Sequence, residues 1–231
     1  METIKLIKKL ESYPLFTLND LSKLVHKNPA YLKVLVQRLK GRNLIHKVER
    51  GKYTLHKDPL IFATNIVSPS YLSLWTALRF HNLTEQLPRD IFLCTSKYKR
   101  KIEFLETKII FLKTKDVWGY KKERYGDFEI FVAEPEKAVI DSLLTRKVPL
   151  SEVIKAVKGV NVKKLKKYAI KTGNKALIKR LGFILENFGI KCDDLKKFID
   201  YNYVLLDPDF ETHGKKNKEW KVVVNRSIEN D

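Results

Sequence analysis

The chain has 231 residues, 44% hydrophobic and 11% aromatic, enough apolar surface for one large or two small packed domains and too much for a disordered chain. Its two cysteines, Cys94 and Cys192, lie far apart, so neither a disulfide framework nor a Cys/His metal site is expected, and the plain setting is a reducing, cytoplasmic one. The net charge of +19 is concentrated: residues 1–59 hold 13 basic and 5 acidic side chains, residues 146–191 hold 13 and 2, and the rest sums to zero. A uniformly lysine-rich composition would spread the excess evenly, so two basic surfaces facing polyanions, nucleic acid first, are expected. No run approaches the roughly 18–20 apolar residues of a membrane span, and the N-terminus lacks the continuous apolar core of a signal peptide.

In chain order, a first helix covers about Thr3 to Glu11, with Ile4, Ile7 and Leu10 (or Leu6) inward. Thr17 and Asp20 form a Thr-x-x-Asp capping box opening a second helix, with Leu18, Leu21, Leu24 and Val25 on its buried stripe. A third helix starts with Asn28 as cap and Pro29 at its first position, carries Leu32, Leu35, Val36 and Leu39 on one face, and stops at Gly41. Leu44-Ile45 and Tyr53-Thr54-Leu55 then flank a basic turn, Glu49-Arg50-Gly51-Lys52. Three short helices and a ribbon match a winged helix-turn-helix domain over residues 1–59. The face of the third helix opposite its leucines carries Ala30, Val34 and Gln37, flanked by Lys33 and Arg38. Small and polar residues there allow close entry to a major groove, where Gln37 suits adenine and Lys33 and Arg38 suit guanine or phosphate. Arg42 at the helix end, and Arg50 and Lys52 on the wing, are placed for the DNA backbone or the minor groove, and Asn28 counts with them among the DNA-binding residues. Tyr31, to the side, either touches phosphate or packs against the second helix.

Asp58-Pro59 marks the expected domain boundary, with a mixed α+β domain over 60–231. Ser68-Pro69 reads as the start of a helix running through Leu72, Trp75 and Leu78, followed by a loop at 83–90. Strand-like runs follow at 91–95, 102–105, 108–113 and 128–133, with a polar loop at 116–127. Asp90, Glu106 and Lys108 have the order of a metal-dependent nuclease site, but Glu-x-Lys arises freely in a chain that is 32% charged. A further helix opens at Glu134-Pro135-Glu136-Lys137, burying Ala138, Val139, Leu143 and Leu144.

Several of these runs resemble a known family. Ser68 to Leu74, Ala77-Leu78 and His81 to Pro88 are similar to the central motif of AbiEi-type antitoxins. Ala133 to Asp141 (AEPEKAVID) is similar to that family's second motif, and the N-terminal segment to its winged-helix domain. The resemblance implies a transcriptional autorepressor acting on its own promoter, and an antagonist of a cognate nucleotidyltransferase toxin of the AbiEii type. Separately, the sequence has no Gly-rich phosphate loop, no nucleophile elbow and no Cys/His cluster, so no cofactor, no metal and no catalytic residue is expected.

Beyond residue 146, helices are expected at 151–158, at 162–171, and from Asn174 to Gly189, then a short one at 192–200 and two strands, 203–206 and 220–225. Lys163, Lys164, Lys166, Lys167, Lys171, Lys175, Lys179 and Arg180 make a second basic surface, suited to DNA, to RNA or to an acidic protein. The expectation is therefore a winged-helix repressor with an antitoxin domain. The alternatives are a nuclease targeted by a winged helix, and a regulator whose second domain senses a ligand or partner.

Overall fold

Amphipathic helices open the chain in the computed structural model, which describes residues 3–228 and is α+β. Helix α1 (Thr3–Leu10) buries Leu6 and Leu10, one turn apart, while Ile4 is 70% exposed rather than inward. Strand β1 (Phe16–Thr17) leads directly into α2 (Leu18–Val25). The expected capping box is present: Thr17 Oγ1 accepts from the Asp20 N–H at 3.3 Å, and the Asp20 carboxylate accepts from the Thr17 N–H at 2.8 Å. Helix α3 (Pro29–Gly41) is capped by Asn28, whose side-chain oxygen accepts the Tyr31 N–H at 2.9 Å. The ribbon is β2 (His46–Glu49) and β3 (Lys52–Thr54), turning at Gly51, where φ is +80°. Strand β1 pairs with β3, giving the order β1-β3-β2, and the register shifts between Lys47 and Glu49. Leu6, Leu10, Phe16, Leu21, Leu32, Val36, Leu39 and Ile45 form the core beneath these elements.

A six-stranded mixed sheet follows, in the order β6-β7-β5-β4-β9-β8. Its strands are β4 (Ser70–Leu72), β5 (Ile91–Thr95), β6 (Ile102–Phe104), β7 (Thr107–Lys113), β8 (Tyr120–Tyr125) and β9 (Phe128–Ala133). Two of these correct the sequence expectation. Residues 70–72 are a buried central strand, and only Leu74–Phe80 is helical (α5, after the one-turn α4, Ala63–Ile66). A strand buried on both faces is apolar without alternation and so reads like a buried helix. Residues 120–125 were expected as loop because YKKERY is polar. That composition belongs to an edge strand, whose exposed charges discourage further pairing.

The chain forms two compact units. One comprises the residues up to Thr76 with Leu87–Ala133; the other comprises Ala77–Gln86 with the residues from Glu134 on. The boundary expected at Pro59 therefore falls inside the first unit, which holds both the three-helix segment and the six-stranded sheet. The second unit contains α6 (Pro135–Thr145), α7 (Leu150–Val157), α8 (Val162–Thr172), α9 (Lys175–Asn187) and α10 (Asp193–Lys196). Its three-stranded sheet has the order β10-β12-β11, from Val204–Leu205, Val222–Val224 and Lys215–Asn217. Trp220 is fully buried against Gly182 of α9 and donates its indole N–H to Glu186 at 2.6 Å.

Candidate functional site

Helix α3 sorts its side chains by period. Leu32, Val36 and Leu39 are buried; Asn28, Ala30, Tyr31, Lys33, Val34, Gln37 and Arg38 are all exposed. Ala30, Val34 and Gln37 fall on one outward line, with Lys33 and Arg38 to either side. Tyr31 (46%) and Val34 (47%) are large side chains left open to solvent. No acidic residue occurs between Asp20 and Glu49 in sequence. Among the described residues no carboxylate pairs with Lys33, Arg38, Lys40, Arg42 or Arg50. The face is thus uniformly positive and its cations are uncommitted.

The ribbon differs from expectation at one residue. Arg50 is exposed at the turn, but Lys52 is half-buried: its ammonium binds the Ile66 carbonyl and lies 3.0 Å from Glu49. Lys52 is thereby a strut between the ribbon and α4 rather than a free cation. Its polar neighbours are contributed by residues 14 and three positions away, which composition does not reveal. Glu49 is also bound by Lys99. Burial pushes the Glu49 carboxyl upward, but the hydrogen bonds and charges of Lys99 and Lys52 outweigh it and hold it below its ordinary 4.5.

Lys99 belongs to a basic loop that the charge count concealed. Lys97, Lys99, Arg100 and Lys101 are four cations in five residues, inside a segment that sums almost to neutrality. The local run is the signal that could have found them, since averaging over 86 residues erased it.

In the second unit, the basic surface is largely spent. Lys164 lies 3.0 Å from Glu134 and 3.1 Å from Glu136. Lys166 pairs with Asp194 at 2.7 Å, and Lys175 with Asp200 at 3.4 Å. Lys179 is fully buried, bound to Asp200 and the Asn202 carbonyl. Arg180 donates to the Leu205 carbonyl at 2.8 Å, and burial, aided by the nearby Arg146, pulls its pKa down. Burial alone would lower Lys164, yet its two carboxylates raise it. The eight-residue surface is therefore reduced to Lys163 and Lys167, exposed one turn apart on α8. The compensating acids, Glu134, Glu136, Asp194 and Asp200, all lie outside residues 146–191, so counting within that block could not see them.

The nuclease-like trio is engaged structurally. The Asp90 carboxylate accepts the Lys108 N–H at 3.3 Å, and Glu106, at the exposed β6–β7 turn, pairs with Arg89 at 3.4 Å. Among the described residues no group of three or more His, Cys, Asp or Glu side chains is arranged as metal ligands, and no helix is long and apolar enough to cross a membrane.

No protein-family model matches the chain, and no curated protein matches it. In fold it is similar to the crystal structure of the RV2827C protein from Mycobacterium tuberculosis, with a TM-score of 0.67 over 95% of this chain and 89% of that one, at 11% sequence identity.

Proposed function

We propose that the segment up to Pro59 is a winged helix-turn-helix that binds double-stranded DNA, with α3 as recognition helix and the β2–β3 ribbon as wing. The observation that carries this reading is the exposed α3 face from the Asn28 cap to Arg38, whose cations have no carboxylate partner among the described residues. Arg42, at the end of α3, and Arg50, on the wing, add backbone contacts, while Lys52 holds the wing in place. Gln37 is the residue best suited to reading a base edge.

The duplex we propose is the chain's own promoter, with the residues after Pro59 acting as an antitoxin toward a nucleotidyltransferase toxin. This half rests on the resemblance of residues 68–88 and 133–141 to AbiEi-type antitoxins. Of the second basic surface, Lys163 and Lys167 are the exposed cations available for it.

The test is a gel shift with DNA from upstream of the gene. Gln37→Ala should relax sequence preference. Lys33→Ala and Arg38→Ala should weaken binding and each flatten its salt dependence by about one unit of slope if it meets a phosphate. A wild-type chain that leaves the duplex unshifted sinks the DNA reading. Co-expression with an adjacent nucleotidyltransferase gene tests the other half, and growth arrest that the chain does not relieve would sink it.

A further inference from the structure

We propose that the loop 96–101 is a second DNA-contacting element, lying on the phosphate backbone of the same duplex that α3 enters. The inference rests on the DNA-binding reading and extends it to residues outside the three-helix segment. Four of the five residues from Lys97 to Lys101 are cations, and none is acidic. Lys99 has a structural role: its ammonium binds Glu49, the last residue of β2. Arg50, exposed at the wing tip, is the next residue. The ion pair therefore fixes the loop beside the tip. A second contact backs it, with the His46 ring of β2 edge-on to Phe104 of β6 at 6.1 Å.

What remains of the loop faces solvent. Lys97 and Arg100 are exposed and have no carboxylate partner among the described residues. Lys101 pairs with Glu103 at 3.6 Å, but both side chains are more than 60% exposed, where such a pair contributes little. Glu49 is the carboxylate bound at this corner, and two lysines already share it. Arg50, Lys97 and Arg100 thus make an uncompensated positive corner. Between them stands Tyr98, 77% exposed, whose hydroxyl can donate to a phosphate oxygen. An anionic chain continuous with the α3 face satisfies this corner, and the duplex already assigned to α3 is that chain. Such contacts fix position and affinity and carry no sequence information.

The test uses the full chain and a duplex of about four helical turns from upstream of the gene, and the same duplex trimmed to about two turns. The double variant Lys97→Ala/Arg100→Ala alters exposed side chains only, and circular dichroism checks that it folds as wild type. The expected result is several-fold weaker binding to the long duplex, with the salt slope reduced by about two units. Preference over a scrambled duplex should persist. On the trimmed duplex, variant and wild type should converge. An unchanged midpoint and slope on the long duplex, with Lys33→Ala and Arg38→Ala still impaired, overturns the loop proposal alone. Loss of toxin relief with DNA affinity intact overturns it too, assigning the loop to a protein partner. If wild type binds neither duplex, the DNA reading itself has failed, which is a separate outcome.

Discussion

Lys99 and Glu49, fifty residues apart, meet side chain to side chain and join the β2–β3 ribbon to the loop before β6. Lys52 shares the same carboxylate at 3.0 Å, so a single acid gathers two cations at the base of the turn. Because Glu49 titrates below its ordinary 4.5, its folded form favours the carboxylate. Its contribution is then fully present above that value and is lost as the pH falls through the folded pKa. Glu49→Gln should lower stability near neutrality by about 1 kcal/mol or less, and should lose less than wild type between neutrality and about pH 3. Thermal melts across that range check it; parallel acid limbs for the two proteins would remove Glu49 from the account.

Asn28 links local structure to the proposed interface. Its side chain caps the first turn of α3 from an exposed position, so its removal does not disturb the core. Asn28→Ala should cost about 1 kcal/mol and fray the turn that carries Ala30 and Lys33, weakening DNA binding in step with the lost helix start. Asn28→Asp restores an acceptor for the Tyr31 N–H and should recover the stability, yet it sets a negative charge beside phosphate. Stability and affinity should therefore separate in that variant, as read by denaturant melts beside gel shifts. If the two move together in both variants, Asn28 acts on binding through the cap alone.

The elements legible in the sequence were those whose reasons are local. The Thr17–Asp20 box, the Asn28 cap and the period of Leu32, Val36 and Leu39 are each set within a few residues, and each is found in the structure. What was not legible depends on partners distant in sequence. Lys52 and Lys179 carry the same charge as Lys33, and nothing in their own neighbourhoods says that Ile66 or Asp200 will claim them. Tyr71 and Leu72 became a central strand because β5 and β9 flank them. Lys97 and Arg100 escaped notice for the opposite reason: their signal was local but was averaged away.

Lys179 offers a direct check on that distinction. It is 1% exposed, with its ammonium held by Asp200 and the Asn202 carbonyl. Lys179→Ala should cost about 2–4 kcal/mol, through the broken pair and the cavity left by its aliphatic stem. Lys179→Met keeps most of the stem and should recover part of this, since Asp200 is partly solvated and retains Lys175. DNA affinity should not change in either variant once folding is complete. Chemical denaturation and gel shifts together decide it; a stable Lys179→Ala with weakened DNA binding would return this residue to the surface role expected from the sequence.

Gly182 and Gly41 should respond to alanine with opposite signs. Both lie within helices, where replacing glycine by alanine ordinarily stabilises by about 0.5–1 kcal/mol. At Gly41, the last residue of α3, an added Cβ meets nothing within 4 Å, and the ordinary gain should be seen. At Gly182 the same atom would fall 2.1 Å from the Trp220 ring, a rigid side chain that is fully buried and anchored by its indole hydrogen bond to Glu186. Neither α9 nor the tryptophan can yield without opening the packing beneath β12, so Gly182→Ala should cost about 1–3 kcal/mol despite its better helix propensity. Tryptophan fluorescence during denaturant unfolding reports both the stability and the displaced ring. A Gly182→Ala protein as stable as Gly41→Ala would mean that the indole seat is looser than the geometry of Trp220 and Glu186 requires.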